Sequence, residues 1–239
     1  MTIEEVVDIL RRRNNNYAQR KGLTDYVREN EKIINAIIDF ANERENRFMP
    51  ARARDVFPFA AAEFSAFDAP ITNTKPAAVW RLIDVYTFIS KNADLKTNTD
   101  YLRSTGDKSI KANYLPYCCF SGTFHERAAQ KLINHSGLLM IDFDHVGDLA
   151  AIHSLKSRLL KDRYFETLLM FRSPSGDGLK WLINIDVTRY PHRVWFDGIY
   201  NYVLNTYGLA IDKSGSDIAR ACFLCHDAQA FINPNIYRV

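Results

Sequence analysis

Leu138-Leu-Met-Ile-Asp142-Phe-Asp144-His145 is an apolar run that ends in two carboxylates one residue apart. In a strand, successive side chains point to opposite faces, so Asp142 and Asp144 are expected on one face. Like charges that close disfavour each other's ionisation. A divalent cation reverses that penalty, because Mg²⁺ takes one or two carboxylates and fills its remaining positions with water and substrate phosphates. Taken alone the pair is a weak signal, since a strand running into a turn looks the same.

Working outward, Phe171-Arg-Ser173-Pro-Ser175-Gly176-Asp-Gly178-Leu-Lys180-Trp-Leu-Ile183 reads as a strand (165–171), a small-residue turn and a second strand (179–185). The turn offers hydroxyls, glycines that admit close backbone approach and one lysine, which suits phosphate oxygens. It is not a Walker A loop, because G-x-x-x-x-G-K-[ST] is absent and a strand follows. An ordinary hairpin uses the same residues.

A third stretch, Gly208-Leu-Ala-Ile-Asp212-Lys-Ser-Gly-Ser-Asp217-Ile-Ala-Arg220-Ala-Cys-Phe-Leu224, has a strand-like run ending in an aspartate and an arginine opening another apolar strand. A third carboxylate can complete a two-metal site and an arginine can clamp a triphosphate. Asp212 and Asp217 compete for the carboxylate role.

The order of these motifs resembles the archaeo-eukaryotic primase (primase-polymerase) superfamily. Within it the chain is most similar to the domain known as BT4734-like, which often precedes a VirE-type helicase region on bacterial mobile elements. Lys111-Ala-Asn-Tyr-Leu-Pro116 and Phe120-Ser-Gly-Thr-Phe124 share the likeness, which covers roughly residues 70–239. The resemblance implies that Asp142, Asp144 and Asp212 hold Mg²⁺ or Mn²⁺. It implies that Ser173, Ser175, Gly176, Gly178, Lys180 and Arg220 bind the nucleotide. The implied activity is metal-dependent nucleotidyl transfer on a DNA template in mobile-element replication. Nucleoside triphosphates, single-stranded or primed DNA and a separate helicase are the implied partners. Most of the superfamily carries a histidine where this chain has Lys180, and a lysine offers phosphate a point charge without directional donation. The competing expectation is therefore a catalytically inactive nucleic-acid-binding or replication-initiator domain.

The chain has 239 residues, 47% hydrophobic and 13% aromatic, enough for one large core. Its net charge of +3, from 31 basic and 28 acidic residues, is too mild to argue for nucleic acid by itself. No run approaches the roughly 18 apolar residues that span a membrane. The acidic start Met1-Thr-Ile-Glu-Glu5 is unlike a signal peptide, so a cytoplasmic protein is expected. Cys222-Phe-Leu-Cys225-His226 fits the haem-attachment pattern but lies in an apolar strand-like run without an export signal. Adjacent Cys118 and Cys119 would face opposite sides of a strand, so zinc is disfavoured and buried, reduced thiols are expected.

Helical spacing is read at 3–12 and 24–43, around the basic and polar segment 11–16, taken as a solvated loop. Residues 49–75 read as a connection with short ordered pieces. The expected division is an N-terminal helical extension and connection at 1–67 and a catalytic domain at 68–239. In that domain, helices are expected at 77–92, from 96, at 126–134, 148–161 and 191–207, with a strand over 114–120. The whole predicts an α+β fold: an RRM-like primase-polymerase core, by resemblance, with a mainly antiparallel sheet and helices on one side. His145 reads as an exposed turn histidine ahead of a ligand or base, Lys108 and Lys111 as solvated cations or as contacts to template phosphate, and Tyr114, Tyr117 and Trp181 as core aromatics ahead of base-stacking groups.

Overall fold

The computed structural model describes residues 61–237. The expected helices at 3–12 and 24–43, the segment 11–16 and the first part of the connection lie outside them. The described chain is a mixed α+β structure with five α-helices and antiparallel sheets.

β1 (Phe64–Phe67) and β2 (Ala78–Trp80) are followed by α1 (Leu82–Lys91), α2 (Ala93–Thr105) and α3 (Lys108–Tyr114). Then come β3 (Tyr117–Cys119), β4 (Gly122–Phe124), β5 (Leu132–His135) and β6 (Leu138–Phe143). α4 (Leu149–Leu159) leads to the hairpin of β7 (Leu169–Arg172) and β8 (Leu179–Asn184). α5 (His192–Tyr207), β9 (Cys222–Phe223) and β10 (Phe231–Ile232) complete the set. One sheet has the order β2-β1-β3-β9, the other β10-β7-β8-β6, and β4 pairs with β5.

Strand alternation sorts the side chains of the second sheet. Leu138 and Met140 of β6, with Leu182 of β8 and Leu169 and Phe171 of β7, join a core that includes Leu82, Val85 and Ile89 of α1 and Leu95 and Leu102 of α2. Leu139, Ile141 and Phe143, with Leu179, Trp181 and Ile183, face the other way onto Ile152, Leu155 and Leu159 of α4 and Trp195, Phe196 and Ile199 of α5. This sheet is therefore covered on both faces, which corrects the expectation of helices on one side. The near-continuous apolar run of β6 is what such double burial demands.

The helices start and stop where short polar residues and glycine direct. Asn92 and Asp148 accept main-chain N–H groups at the starts of α2 and α4, from Leu95 at 2.7 Å and Ala151 at 2.9 Å. Gly106 and Gly208 end α2 and α5 at φ 69° and 70°.

Several expectations shift. Within 77–92 the first residues form β2, and α1 begins at Leu82. Tyr114 ends α3, so the strand expected over 114–120 starts at Tyr117. Residues 126–134 are not an α-helix: a 3-10 turn, Ala129–Lys131, precedes β5, whose pairing with β4 satisfies the backbone instead. The run before Asp212 is not a strand either, and its chain passes irregularly from α5 to a 3-10 turn, Lys213–Ser216. β1 is one of the short ordered pieces expected within the connection; Phe64 and Phe67 are buried and the strand sits between β2 and β3. Tyr117 and Trp181 are core residues, as expected, but Tyr114, expected with them, ends α3 and is exposed to solvent. No described helix is long and apolar enough to cross a membrane.

Candidate metal centre and basic cleft

Asp142 stands on the last turns of the β6 pleat, paired in register with Lys180 of β8. Asp144 follows where β6 ends. Asp212 arrives from the far end of α5 and is docked by its own N–H, which donates to the Asp142 carbonyl at 3.0 Å. One oxygen from each of the three carboxylates lies within 4.8 Å of the others. Asp142 is buried, Asp212 half-buried and Asp144 exposed. This is one solvent-facing cluster rooted in the core.

The cluster carries its own cations. The Lys180 ammonium, buried with Asp142, donates to Asp142 Oδ2. An Arg220 guanidinium N–H donates to Asp212 Oδ2 at 2.8 Å. Burial pushes the Asp142 carboxyl above its ordinary value; Lys180 opposes this, and the neighbouring Asp144 and Asp212 charges add to it. Burial works against the Asp212 carboxylate too, but Ser214, which donates through its hydroxyl and main-chain N–H, together with the nearby Arg220 and Lys180 charges holds the group below its ordinary value.

The donor set fits a hard divalent ion: all-oxygen, triply acidic and open on the Asp144 side. Asp142 Oδ1 is buried and lacks any hydrogen-bond partner, although its twin oxygen is paired. An orphaned carboxylate oxygen costs free energy unless something positive meets it.

Beside the cluster lies a cleft of about 200 Å³. Asp142, Lys180, Arg220 and Asp217 line it, as do Lys111, Arg127 and the apolar Phe223. Asp217 is not part of the carboxylate cluster; its Oδ1 accepts the Ala219 N–H at 2.9 Å.

The hairpin between β7 and β8 is closed on itself. Ser173 Oγ accepts the Gly178 N–H at 2.9 Å, and Ser175 Oγ donates to Asp177 Oδ1 at 2.6 Å. Gly176 adopts φ 88° and its carbonyl accepts from Arg172 Nε at 2.5 Å. Arg103 of α2 donates to the Ser173 and Pro174 carbonyls at 3.0 and 3.2 Å. Of this loop, only Pro174 lines the cleft. Asp142, Lys180 and Arg220 are thus brought to the cleft, while Ser173, Ser175, Gly176 and Gly178 shape the wall behind it. His145 is exposed at φ 52° and hydrogen-bonds Asp177 Oδ2 at 2.7 Å, a turn histidine as expected.

A pair of imidazoles supports the Asp212 turn from below. His192 Nε2 lies 3.2 Å from the Gly215 carbonyl, so it must carry the proton, which leaves Nδ1 to accept from His135 Nε2 at 3.1 Å. The Gly137 N–H then donates to His135 Nδ1 at 2.9 Å, and both rings are satisfied as neutral groups. Burial pulls the His135 pKa down to about 4 and lowers that of His192 as well.

Sequence reasoning passed over Arg103 and Arg127, which lie in no motif; only their tertiary neighbours reveal them. The four cysteines are free and buried, with Cys118 opposite Cys222 in the β3–β9 pair and Cys119 turned into a separate cluster.

Taken together, the chain is an antiparallel α+β domain with a three-carboxylate cluster at the rim of a basic cleft. It belongs to the family described as BT4734-like, N-terminal domain, whose sequence model matches residues 109–231, just over half of the chain and including all three carboxylates. No curated protein and no solved structure matches it.

Proposed function

We propose that this domain is a metal-dependent nucleotidyltransferase of primase-polymerase type, acting on a DNA template with Mg²⁺ or Mn²⁺. The observation that carries the reading is the convergence of Asp142, Asp144 and Asp212 within 4.8 Å beside a cleft lined by cations. The likeness of its motifs to the primase-polymerase superfamily supplies the reaction class and the RRM-like description of the core.

The three carboxylates would hold the metal, with Asp142 Oδ1 as the buried anchor and Asp144 as the ligand reached from solvent. A bound divalent ion supplies Lewis acidity, lowering the pKa of an attacking hydroxyl and neutralising charge on a leaving pyrophosphate. Lys180 keeps Asp142 in place from behind and limits the charge repulsion within the cluster. Arg220, half-exposed at the rim, holds Asp212 with one N–H and has further donors of its fork for phosphate oxygens. The closed hairpin fixes the strand end that carries Lys180. Incoming nucleoside triphosphate and primed or single-stranded DNA are the substrates of this reading, with a separate helicase as partner in mobile-element replication.

A second reading has an observation of its own. Asp142 and Asp212 are each already paired with a cation of the chain, so two of the three charges are balanced without metal. That arrangement suits an inactive nucleic-acid-binding or replication-initiator domain.

Titration of dATP and ATP into the protein by calorimetry, with and without Mn²⁺, separates the two. The transferase reading requires Mn²⁺-dependent binding that Asp142→Asn/Asp144→Asn abolishes, followed by primer synthesis on single-stranded DNA. DNA binding indifferent to Mn²⁺, with no nucleotide binding, would leave only the second reading.

A further inference from the structure

We infer that Lys111 and Arg127 form an anion subsite in the cleft, one that takes the phosphate tail of the ligand in place of the hairpin serines. The inference deepens the metal-centred reading above and rests on it for the ligand's identity.

Both cations are laid against aromatic faces of the first sheet. Lys111 Nζ sits 5.2 Å from the centroid of the Phe223 ring, and Arg127 Cζ sits 5.3 Å from that of Tyr117. Such contacts hold a cation in place without neutralising it. Arg127 is further fixed by donating to the Ile71 carbonyl at 3.2 Å, and its main-chain N–H donates to the Thr74 carbonyl at 2.8 Å. Neither side chain has a carboxylate partner among the described residues, whereas Lys180 and Arg220 in the same cleft do. Arg127 Nε is buried with no acceptor, a donor that costs free energy until an oxygen meets it.

Charge points to the same ligand. Lys111, Arg127, Lys180 and Arg220 balance Asp142, Asp144, Asp212 and Asp217 around the cleft and its rim. A divalent ion on the carboxylates would tip this balance positive, and the unpaired cations lie on the cleft side of it. A chain of phosphates meets both demands: several charged oxygens, bridging from metal to guanidinium fork and ammonium. The hairpin hydroxyls do not serve this role: Ser175 donates to Asp177, Ser173 accepts from Gly178 and lies 3.3 Å from Ser175 Oγ, and neither serine lines the cleft.

The probe is inorganic tripolyphosphate, titrated calorimetrically into the full chain in EDTA, so that no metal contributes. The expected result is binding by the wild type, weakened at least about tenfold in each of Arg127→Gln and Lys111→Gln. Mn²⁺ binding, followed separately by electron paramagnetic resonance, is expected to be unchanged in both variants. Absence of tripolyphosphate binding in the wild type overturns the subsite, as does equal binding by the folded variants. If Arg127→Gln fails to fold, Lys111→Gln, on a short surface helix, decides by the same criterion. If tripolyphosphate binds as expected while the wild type takes up no Mn²⁺, the subsite stands and the metal-centred reading falls.

Discussion

The buried ammonium of Lys180 donates to Asp142 Oδ2 across the β6–β8 pair, where the two residues face each other in register. The acidic cluster is therefore built around an internal counter-ion rather than around open carboxylates. Breaking a buried pair by removing one partner leaves a stranded charge, which costs more than the pair contributes.

Lys180→Met is accordingly expected to destabilise the fold by about 3–5 kcal/mol. If the cluster holds Mn²⁺, the ion should recover part of that loss by supplying the missing positive charge. Asp142→Asn/Lys180→Met should be less destabilised than Lys180→Met, because no uncompensated charge remains. Urea denaturation with and without Mn²⁺ checks this; no difference between the single and double variants would contradict it.

Asp144 is exposed and has no cation at salt-bridge distance among the described residues. Replacing it should leave stability within about 0.5 kcal/mol of the wild type. Mn²⁺ affinity should nevertheless fall by at least an order of magnitude in Asp144→Asn, as an ion with mainly carboxylate ligands requires. An unaltered Mn²⁺ titration would remove Asp144 from the site.

The His135–His192 pair sets a pH dependence of known sign. His135 titrates near 6.5 when unfolded but is held at about 4 in the fold, chiefly by burial. Between these values the unfolded chain binds the extra proton, so stability is complete above pH 6.5 and falls as the pH drops towards 4. With the partly open ring screened by solvent, the loss should be about 1–2 kcal/mol. His135→Gln should flatten that portion of the stability-versus-pH curve, measured by denaturant titration at successive pH values; a curve of unchanged slope would contradict the assignment.

Burial holds the thiols of Cys119, Cys222 and Cys225 at about 12. The native protein should accordingly show almost no reaction with a disulfide reagent at pH 8, and all four cysteines should react once it is unfolded. Fast labelling of the native state would show that the β3–β9 region opens.

At Gly178 an added Cβ would lie 2.3 Å from the Phe143 carbonyl oxygen, a backbone atom between Asp142 and Asp144. Gly178→Ala should cost about 1–3 kcal/mol through this overpacking. It should also disturb the carboxylate pair, visible as weakened Mn²⁺ binding in a variant that still folds.

What could be read in advance follows the range of the forces involved. The strand at Leu138, the hairpin around Ser173–Gly178 and the helices α4 and α5 obey local patterning, so their existence was legible. β5 reads as helix in sequence because its four residues, with Leu132 and Ile133 adjacent and Ile133 exposed, lack the alternation of a half-buried strand, and only pairing with β4 decides the outcome. Asp142, Asp144 and Asp212 were named correctly as neighbours, but Asp212 was expected on a strand, and only the main-chain bond to Asp142 shows how it gets there. Arg127 was invisible because its meaning lies in Tyr117, Ile71 and the cleft, none of them adjacent in sequence. The serines were read as ligand groups because sequence does not reveal whether a hydroxyl turns outward or closes its own loop.

The docking of Asp212 onto the Asp142 carbonyl also makes the cluster depend on parts of the chain far apart in sequence. Asp142 and Asp144 are near neighbours in the chain, but the third carboxylate comes from beyond α5. A fragment ending before residue 208 would carry two of the acids and the lysine, never the complete set. Any ion held by all three would therefore bind the finished domain in preference to its partly folded forms, and so stabilise the segment beyond α5 along with β6.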